Sequence, residues 1–275
     1  MVTDQSEESR DSIRIGLSRI SYFHNVAPAG PGICTVCRQP SRSEMCDRCT
    51  STRDALDGLT CDYTFFMSYT DGWNPSGRSQ SAQTMRLYKS SQPPARSVTD
   101  VHLLTNIVTW IHDGCIRDTE LGKEWDTATY VPSRTQRAGH HPVSKVTTNV
   151  ARLVGDEPSE NSARRISRKR IQVGGCDAPR IAAADRFAVP DRVRPSIEGK
   201  RVLLVDDMWT TGTSMQSAAA ALKLAGATSV TGLCVSRWLA WNWEPHVPLL
   251  EKVTKQAYDP FSCIAFDRCC DVPRG

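Results

Sequence analysis

The chain lacks most of the features that would assign it at a glance. No apolar run approaches the roughly 18 residues of a membrane span, and the first residues carry no apolar signal-peptide core. The net charge is only +4 over 275 residues, too mild to imply nucleic acid by itself. Eleven cysteines without an export signal argue for a reducing compartment, where thiols serve metal sites more often than disulfides. The expectation is a cytoplasmic chain with no membrane span, long enough for one sizeable α/β domain and an accessory module.

What is present concentrates in residues 202–214. Val202, Leu203, Leu204 and Val205 read as a strand buried on both faces. Asp206 and Asp207 follow where that strand would emerge. Met208 and Trp209 lead to Thr210, Thr211, Gly212, Thr213 and Ser214, a loop of small hydroxyl residues around one glycine. An alanine-rich helix is expected over residues 213–225 with Gly226 as its C-cap, then a strand over 230–235. This is one βαβ unit, and its ligand site belongs at the carboxyl end of the first strand.

A loop entering a helix N-terminus offers free backbone N–H groups and a favourable dipole to an anion. The hydroxyls of Thr210, Thr211, Thr213 and Ser214 add donors, and Gly212 permits close approach. A phosphate monoester suits that loop. Asp206 and Asp207 cannot bind phosphate, but their acceptors suit sugar hydroxyls or a magnesium ion. Phosphate beside a diol describes a ribose 5-phosphate. No Gly-Lys-Ser/Thr follows the strand, which excludes a Walker-type loop.

These thirteen positions resemble the 5-phosphoribosyl-1-pyrophosphate (PRPP) motif of the type I phosphoribosyltransferases. There the paired acids hold the ribose hydroxyls and the following loop holds the 5-phosphate. Trp209 departs from the pattern, standing where the family usually has a smaller aliphatic residue.

Two CxxC knuckles, Cys34/Cys37 and Cys46/Cys49, lie eight residues apart. Their four thiolates are the tetrahedral set of a structural zinc site with no open position, so the metal should fold the module and not catalyse. Cys61, Cys115, Cys176 and Cys234 read as ordinary small buried residues. Cys263, Cys269 and Cys270 are spaced too irregularly to indicate a second metal.

Elsewhere the pattern predicts a polar tail over residues 1–32, with a short helix over 13–20 as the alternative, and strands over 63–69 and 127–131. It also predicts a short helix over 81–88, followed by Lys89. Ser97 and Asp100 read as a capping box before a helix with Val101, Leu104, Val108 and Ile111 on one face. The strand at 127–131 runs into Pro132, Ser133, Arg134 and Arg137. A helix with Val143, Val146, Val150 and Leu153 on one face comes next. Arg134 and Arg137 suit a diphosphate, although a solvated basic loop reads nearly as well from these residues alone.

The order of knuckle pair, lysine-bearing segment, Val-Pro-Ser-Arg loop and PRPP-like motif resembles the ComF-like phosphoribosyltransferases, a group associated with competence and DNA uptake. The resemblance spans about residues 33–238. It implies a pyrophosphate loop at Ser133, Arg134 and Arg137, and more loosely a role for Lys89. It also implies an α/β fold with a mainly parallel sheet and flanking helices, preceded by a small zinc module. The divisions expected are a flexible tail (1–32), zinc-binding module (33–60), phosphoribosyltransferase domain (61–240) and C-terminal extension (241–275). The function implied is transfer of phosphoribose from magnesium-bound PRPP, to or from an acceptor the sequence does not identify. The alternative is a non-catalytic accessory that binds a nucleotide or single-stranded DNA for the DNA-uptake machinery. A homo-oligomer is the remaining partner considered.

Residues 156–180 hold the basic run Arg164, Arg165, Arg168, Lys169 and Arg170. A mobile hood over the site, a nucleic-acid patch and a solvated charge run all fit it. Residues 182–189 are expected to return the chain to the sheet. Trp238, Trp241 and Trp243 read as packing of the C-terminal extension, with base stacking as the sharper alternative.

Overall fold

The computed structural model describes residues 2–72, 77–119, 125–132, 142–154, 172–173 and 181–273. Its elements are α1 (Val2–Gly16), α2 (Asp47–Ala55), β1 (Tyr63–Asp71), α3 (Gln80–Leu87), α4 (Ala95–Thr119), β2 (Thr127–Tyr130) and α5 (Pro142–Val154). After these come β3 (Gln172–Val173), β4 (Phe187–Ala188), β5 (Arg201–Trp209), α6 (Thr213–Leu224), β6 (Ser229–Leu239) and α7 (Val247–Val253). Four strands form a sheet in the order β1-β6-β5-β2. The chain divides into two compact units, one of 1–44, 66–122 and 235–275, the other of 45–65 and 123–234.

The second unit carries the βαβ pattern. Val202, Leu203, Leu204 and Val205 are fully buried, as a strand covered on both faces requires. β2 runs parallel to β5 with Thr127 beside Val202 and Tyr130 beside Val205. α5 packs on β2 and β5 through Val143, Val146 and Val150, all fully buried. The side chain of Leu153 lies outside the described residues. α6 buries Ala218, Ala219, Ala220 and Ala221, whose small side chains let the helix lie close to the strands. Gly232 on β6 extends that closeness: a Cβ there would stand 2.7 Å from Met215 Sδ and 3.1 Å from Cys61 Sγ. Gly226, at φ +93°, ends the helix in a left-handed residue, and Ala227 N donates to Leu222 O.

Three expectations change here. β5 continues to Trp209, so Asp206 and Asp207 lie on the strand and not beyond it. β2 stops one residue early, at Tyr130, although Val131 N still donates to Val205 O at 3.0 Å. Residues 187–188 do not rejoin the main sheet; β4 pairs antiparallel with β3, Val173 beside Phe187.

In the first unit α4 buries Val101, Leu104, Val108 and Ile111 as its stripe demands. The capping-box reading of Ser97 and Asp100 does not hold. The helix begins at Ala95, and the Asp100 carboxylate is buried within it, accepting from Arg19 Nε at 2.7 Å and Tyr22 Oη at 2.8 Å. The partner of Asp100 explains the N-terminal segment as well. Instead of a polar tail there is a helix, and Leu17, Ile20, Phe23 and Val26 are buried beyond it. His24 exchanges backbone hydrogen bonds with Tyr69 at 3.2 and 2.7 Å. Among the described residues no helix is long and apolar enough to cross a membrane.

The glycines give a matched test of this packing. Gly232→Val should lower unfolding free energy by about 1–3 kcal/mol through overpacking against Met215 and Cys61. Gly114→Ala, on an exposed face of α4 with nothing within 4 Å of the new Cβ, should raise it by about 0.5–1 kcal/mol. Urea denaturation of the two variants reads both signs.

Candidate functional site

The β5–α6 junction is built around one backbone conformation. Gly212 has φ +82° and ψ −12° and stands as the N-cap of α6. An L-residue is strained there, and a Cβ would lie 2.2 Å from the Trp209 ring. The indole of Trp209 is buried in the space that only glycine leaves open. The tryptophan that departs from the phosphoribosyltransferase pattern is therefore part of the turn.

Gly212 has no side chain to cap the helix, and no acidic residue occupies the first turn of α6. The first backbone N–H groups of this 12-residue helix keep the anion-binding character of an N-terminus. Around them stand Thr211 and Thr213, whose hydroxyls are 2.9 Å apart, with Ser214 half-buried and Thr210 exposed. On the strand side Asp207 is buried and Asp206 half-buried, and Asp206 Oδ1 accepts from Asp207 N at 2.9 Å. The seven predicted residues from Asp206 to Ser214 thus fall on one strand end, one turn and one helix start.

β2 delivers the chain to the same place. Tyr130 pairs with Val205, one residue before Asp206, and Val131 and Pro132 lead out of the sheet. Ser133, Arg134, Arg137, His140 and His141 lie outside the described residues. So do the basic run at 164–170 and Cys176. Lys89 lies in the other unit, half-buried one residue after the C-cap of α3, with its N–H donating to Arg86 O at 3.2 Å.

One functional candidate was not legible in the sequence. Arg186, just before β4, directs Nη2 to Ser214 Oγ at 3.4 Å, and its guanidinium carbon lies 5.8 Å from the centre of the Phe187 ring. Nearby, Ala183 N donates to Ser217 Oγ at 3.1 Å, fixing this segment against α6. The arginine places a cation beside the β5–α6 turn. No spacing rule connects it with Ser214, 28 residues later.

The four knuckle cysteines converge. Cys34, Cys37, Cys46 and Cys49 are all buried, with their sulfurs within 4.8 Å of one another. Arg38, in the left-handed region at φ 57°, closes the first knuckle by donating its N–H to Cys34 O. Cys46 is the N-cap of α2, so Cys49 falls in the helix's first turn. Sulfurs around a tetrahedral zinc sit roughly 3.8 Å apart, which follows from a Zn–S length of about 2.3 Å, so this donor set fits the metal. Four thiolates and Zn²⁺ carry net negative charge, and buried cations stand beside the first knuckle. Burial pulls the Arg38 guanidinium below its ordinary value, while Tyr69 and the Cys34 and Cys37 sulfurs oppose that. Arg237, 2% exposed, donates from Nε to Cys37 O at 2.9 Å and from Nη2 to Gln39 Oε1 at 2.8 Å.

The tryptophans of the C-terminal part divide. The Trp238 ring fills the space a Cβ on Gly72 would need, at 2.5 Å, whereas Trp243 is half-exposed with its ring centre 6.4 Å from that of His246.

Residues 146–237 match the family model of the phosphoribosyl transferase domain, 92 of the chain's 275 residues. The matched stretch contains β5, the Asp206–Ser214 turn, α6 and most of β6. No curated protein matches the chain. Among solved structures, the allosteric regulatory enzyme of purine biosynthesis is similar at 19% identity and a TM-score of 0.31. That match covers 55% of this chain and 30% of the other, so the chain spans less than a third of that structure's length. What the chain resembles from α5 through β6 is a phosphoribosyltransferase domain.

Proposed function

We propose that the chain is a ComF-like type I phosphoribosyltransferase that binds PRPP with magnesium and transfers phosphoribose to or from an acceptor. One observation carries the reading: a glycine-capped helix start, open to an anion, follows by a short turn on a buried strand that carries two carboxylates in its last four residues. Phosphate repels carboxylate, so the pair is intelligible only when a diol or a cation shares the site. The family-model match over the same residues supports it.

Each group then has a task. The α6 amides and the hydroxyls of Thr210, Thr211, Thr213 and Ser214 hold the 5-phosphate, and Arg186 adds a positive charge. Asp206 and Asp207 accept hydrogen bonds from the ribose hydroxyls. Their negative charge favours the positive charge that develops at the anomeric carbon as its bond to diphosphate lengthens. Ser133, Arg134 and Arg137 receive the diphosphate, and Lys89 enters as a substrate contact on the family resemblance alone. The carboxylate oxygens of Asp206 and Asp207 are the hard donors magnesium takes, and the ion would neutralise diphosphate charge when bound. The proposed division is a zinc-binding module at 33–60, a transferase domain at 61–240 and a C-terminal extension at 241–275.

Calorimetry tests the core of this. Asp206→Asn with Asp207→Asn should abolish magnesium-dependent PRPP binding while the unliganded melting temperature holds or rises, because a like-charge pair is relieved. PRPP binding equal to wild type would sink the reading. Arg186→Ala should weaken PRPP affinity about tenfold or more, the scale of a charge-assisted hydrogen bond, and unchanged affinity would remove Arg186 from the site. For the N-terminal cluster, Cys34→Ser with Cys46→Ser should lower zinc content by one equivalent per chain, read by elemental analysis.

A further inference from the structure

Three cysteines and a histidine that no local spacing joins meet in the first unit. His112 and Cys115 are one helical turn apart on α4, the separation that puts two side chains on the same face. Cys263 and Cys270 come from a hairpin near the C-terminus. There Cys263 N donates to Arg268 O at 3.0 Å and Cys270 N to Phe261 O at 2.8 Å, and Ser262 and Cys269 form an antiparallel bridge between the two. All four side chains are buried, and their ligand atoms lie within 4.8 Å of one another. Cys115 Sγ is 3.5 Å from Cys270 Sγ.

The histidine decides what the cluster is. His112 is fully buried, and Nε2 is 2.8 Å from Pro260 O. A carbonyl only accepts, so Nε2 carries a proton and Nδ1 is the ring atom left for a ligand. That nitrogen is buried and no N–H or O–H donates to it, while the ring meets the Cys263 sulfur. Burying an acceptor without a strong donor is costly, and thiols are poor donors. A backbone carbonyl on one imidazole nitrogen with the other turned towards sulfur is how protein frameworks orient a metal-bound histidine.

The surroundings agree. Ile111 and Phe261 are buried with the cluster, and Ile107, Ala265, Phe266 and Val272 pack against it, a dry shell that excludes competing water. Charge is supplied at the rim: Arg268 Nη2 lies 3.4 Å from Cys115 Sγ. The hairpin is also gripped by α1, where Arg10 Nη2 donates to Cys270 O at 3.0 Å and Arg14 pairs with Asp259 at 3.1 Å.

We propose that His112, Cys115, Cys263 and Cys270 form a second structural zinc site that fastens the C-terminal hairpin to α4. Three thiolates and one imidazole complete a tetrahedron and leave no open position, so the metal's role is to hold the fold. The site is separate in sequence from the N-terminal cysteine cluster and does not depend on the transferase reading.

Elemental analysis of the full chain, purified under reducing conditions, should give two zinc per chain. Cys263→Ala with Cys270→Ala should give one, and Cys34→Ser with Cys46→Ser should independently give one. Cobalt(II) loaded into the Cys34→Ser, Cys46→Ser chain should show tetrahedral visible bands with the thiolate charge transfer of three sulfurs. Should either variant fail to fold, X-ray absorption at the zinc edge of the wild-type chain still decides. Two sites together hold seven sulfurs and one nitrogen, so the averaged shell contains one nitrogen in eight ligands, whereas the N-terminal cluster alone gives an all-sulfur shell. A wild-type content of one zinc with an all-sulfur shell overturns the proposal. So does a zinc content unchanged by Cys263→Ala with Cys270→Ala, or a Cys115–Cys270 disulfide in metal-free protein.

Discussion

The left-handed residue between β5 and α6 is the constraint on which the candidate site depends. A strand buried on both faces must end by handing the chain to a helix, and here the handover passes over the Trp209 ring. Only a residue without Cβ can sit at φ +82° with an indole carbon 2.2 Å from where Cβ would be. The same absence leaves the start of α6 without a side-chain cap. A serine or aspartate at the N-cap typically adds about 1 kcal/mol over alanine, but its oxygen would occupy an N–H group that a ligand could use. Glycine keeps the amides available, and the buried alanines of α6 restore helix stability through propensity and packing.

Much of this was legible because the signals are local. Four consecutive apolar residues marked β5, an alanine run with a terminal glycine marked α6, and a 3.6-residue stripe marked α4. The seven site residues from Asp206 to Ser214 are close in sequence, so a motif could place them. What the sequence hid depends on partners far away. Asp100 followed a plausible cap pattern, but its partners Arg19 and Tyr22 lie 81 and 78 residues earlier, and burial in the helix satisfied it better than a cap would. Arg186 was hidden for the same reason, and so was the packing of residues 17–26.

Arg237 and Asp71 show how the first unit keeps two of its buried charges. Arg237 is almost without solvent contact, yet each nitrogen of its guanidinium donates to an oxygen: Nε to Cys37 O, Nη1 to Trp238 O and Nη2 to Gln39 Oε1. His246 joins through Gln39, with Nδ1 accepting from Ala240 N at 3.0 Å and Nε2 donating to Gln39 Oε1 at 3.3 Å. Asp71 shows the opposite sign. Burial alone would raise its carboxyl, but hydrogen bonds from His24, Ser79 and Ser81 outweigh that and hold it below the usual range. Its contribution is therefore present at neutral pH and lost only as pH falls below the ordinary carboxylate range. Charge survives burial where the fold supplies every partner.

The cysteines separate by the same reasoning. Desolvation, with Asp62 nearby, pushes the Cys61 thiol up to about 12, so at neutral pH it is protonated and packs as a small apolar group against the Gly232 backbone. Cys234 is buried in the sheet. A protonated thiol such as Cys61 needs no cation. Four soft donors pointed at one another do, because each excludes water from the rest without offering a strong hydrogen bond in exchange, and a cation is the natural filling. Sequence spacing exposes such a set when both halves are adjacent, as with Cys34/Cys37 and Cys46/Cys49. His112-x-x-Cys115 and Cys263-x₆-Cys270 are about 150 residues apart, so their meaning appears only when α4 and the hairpin are seen together.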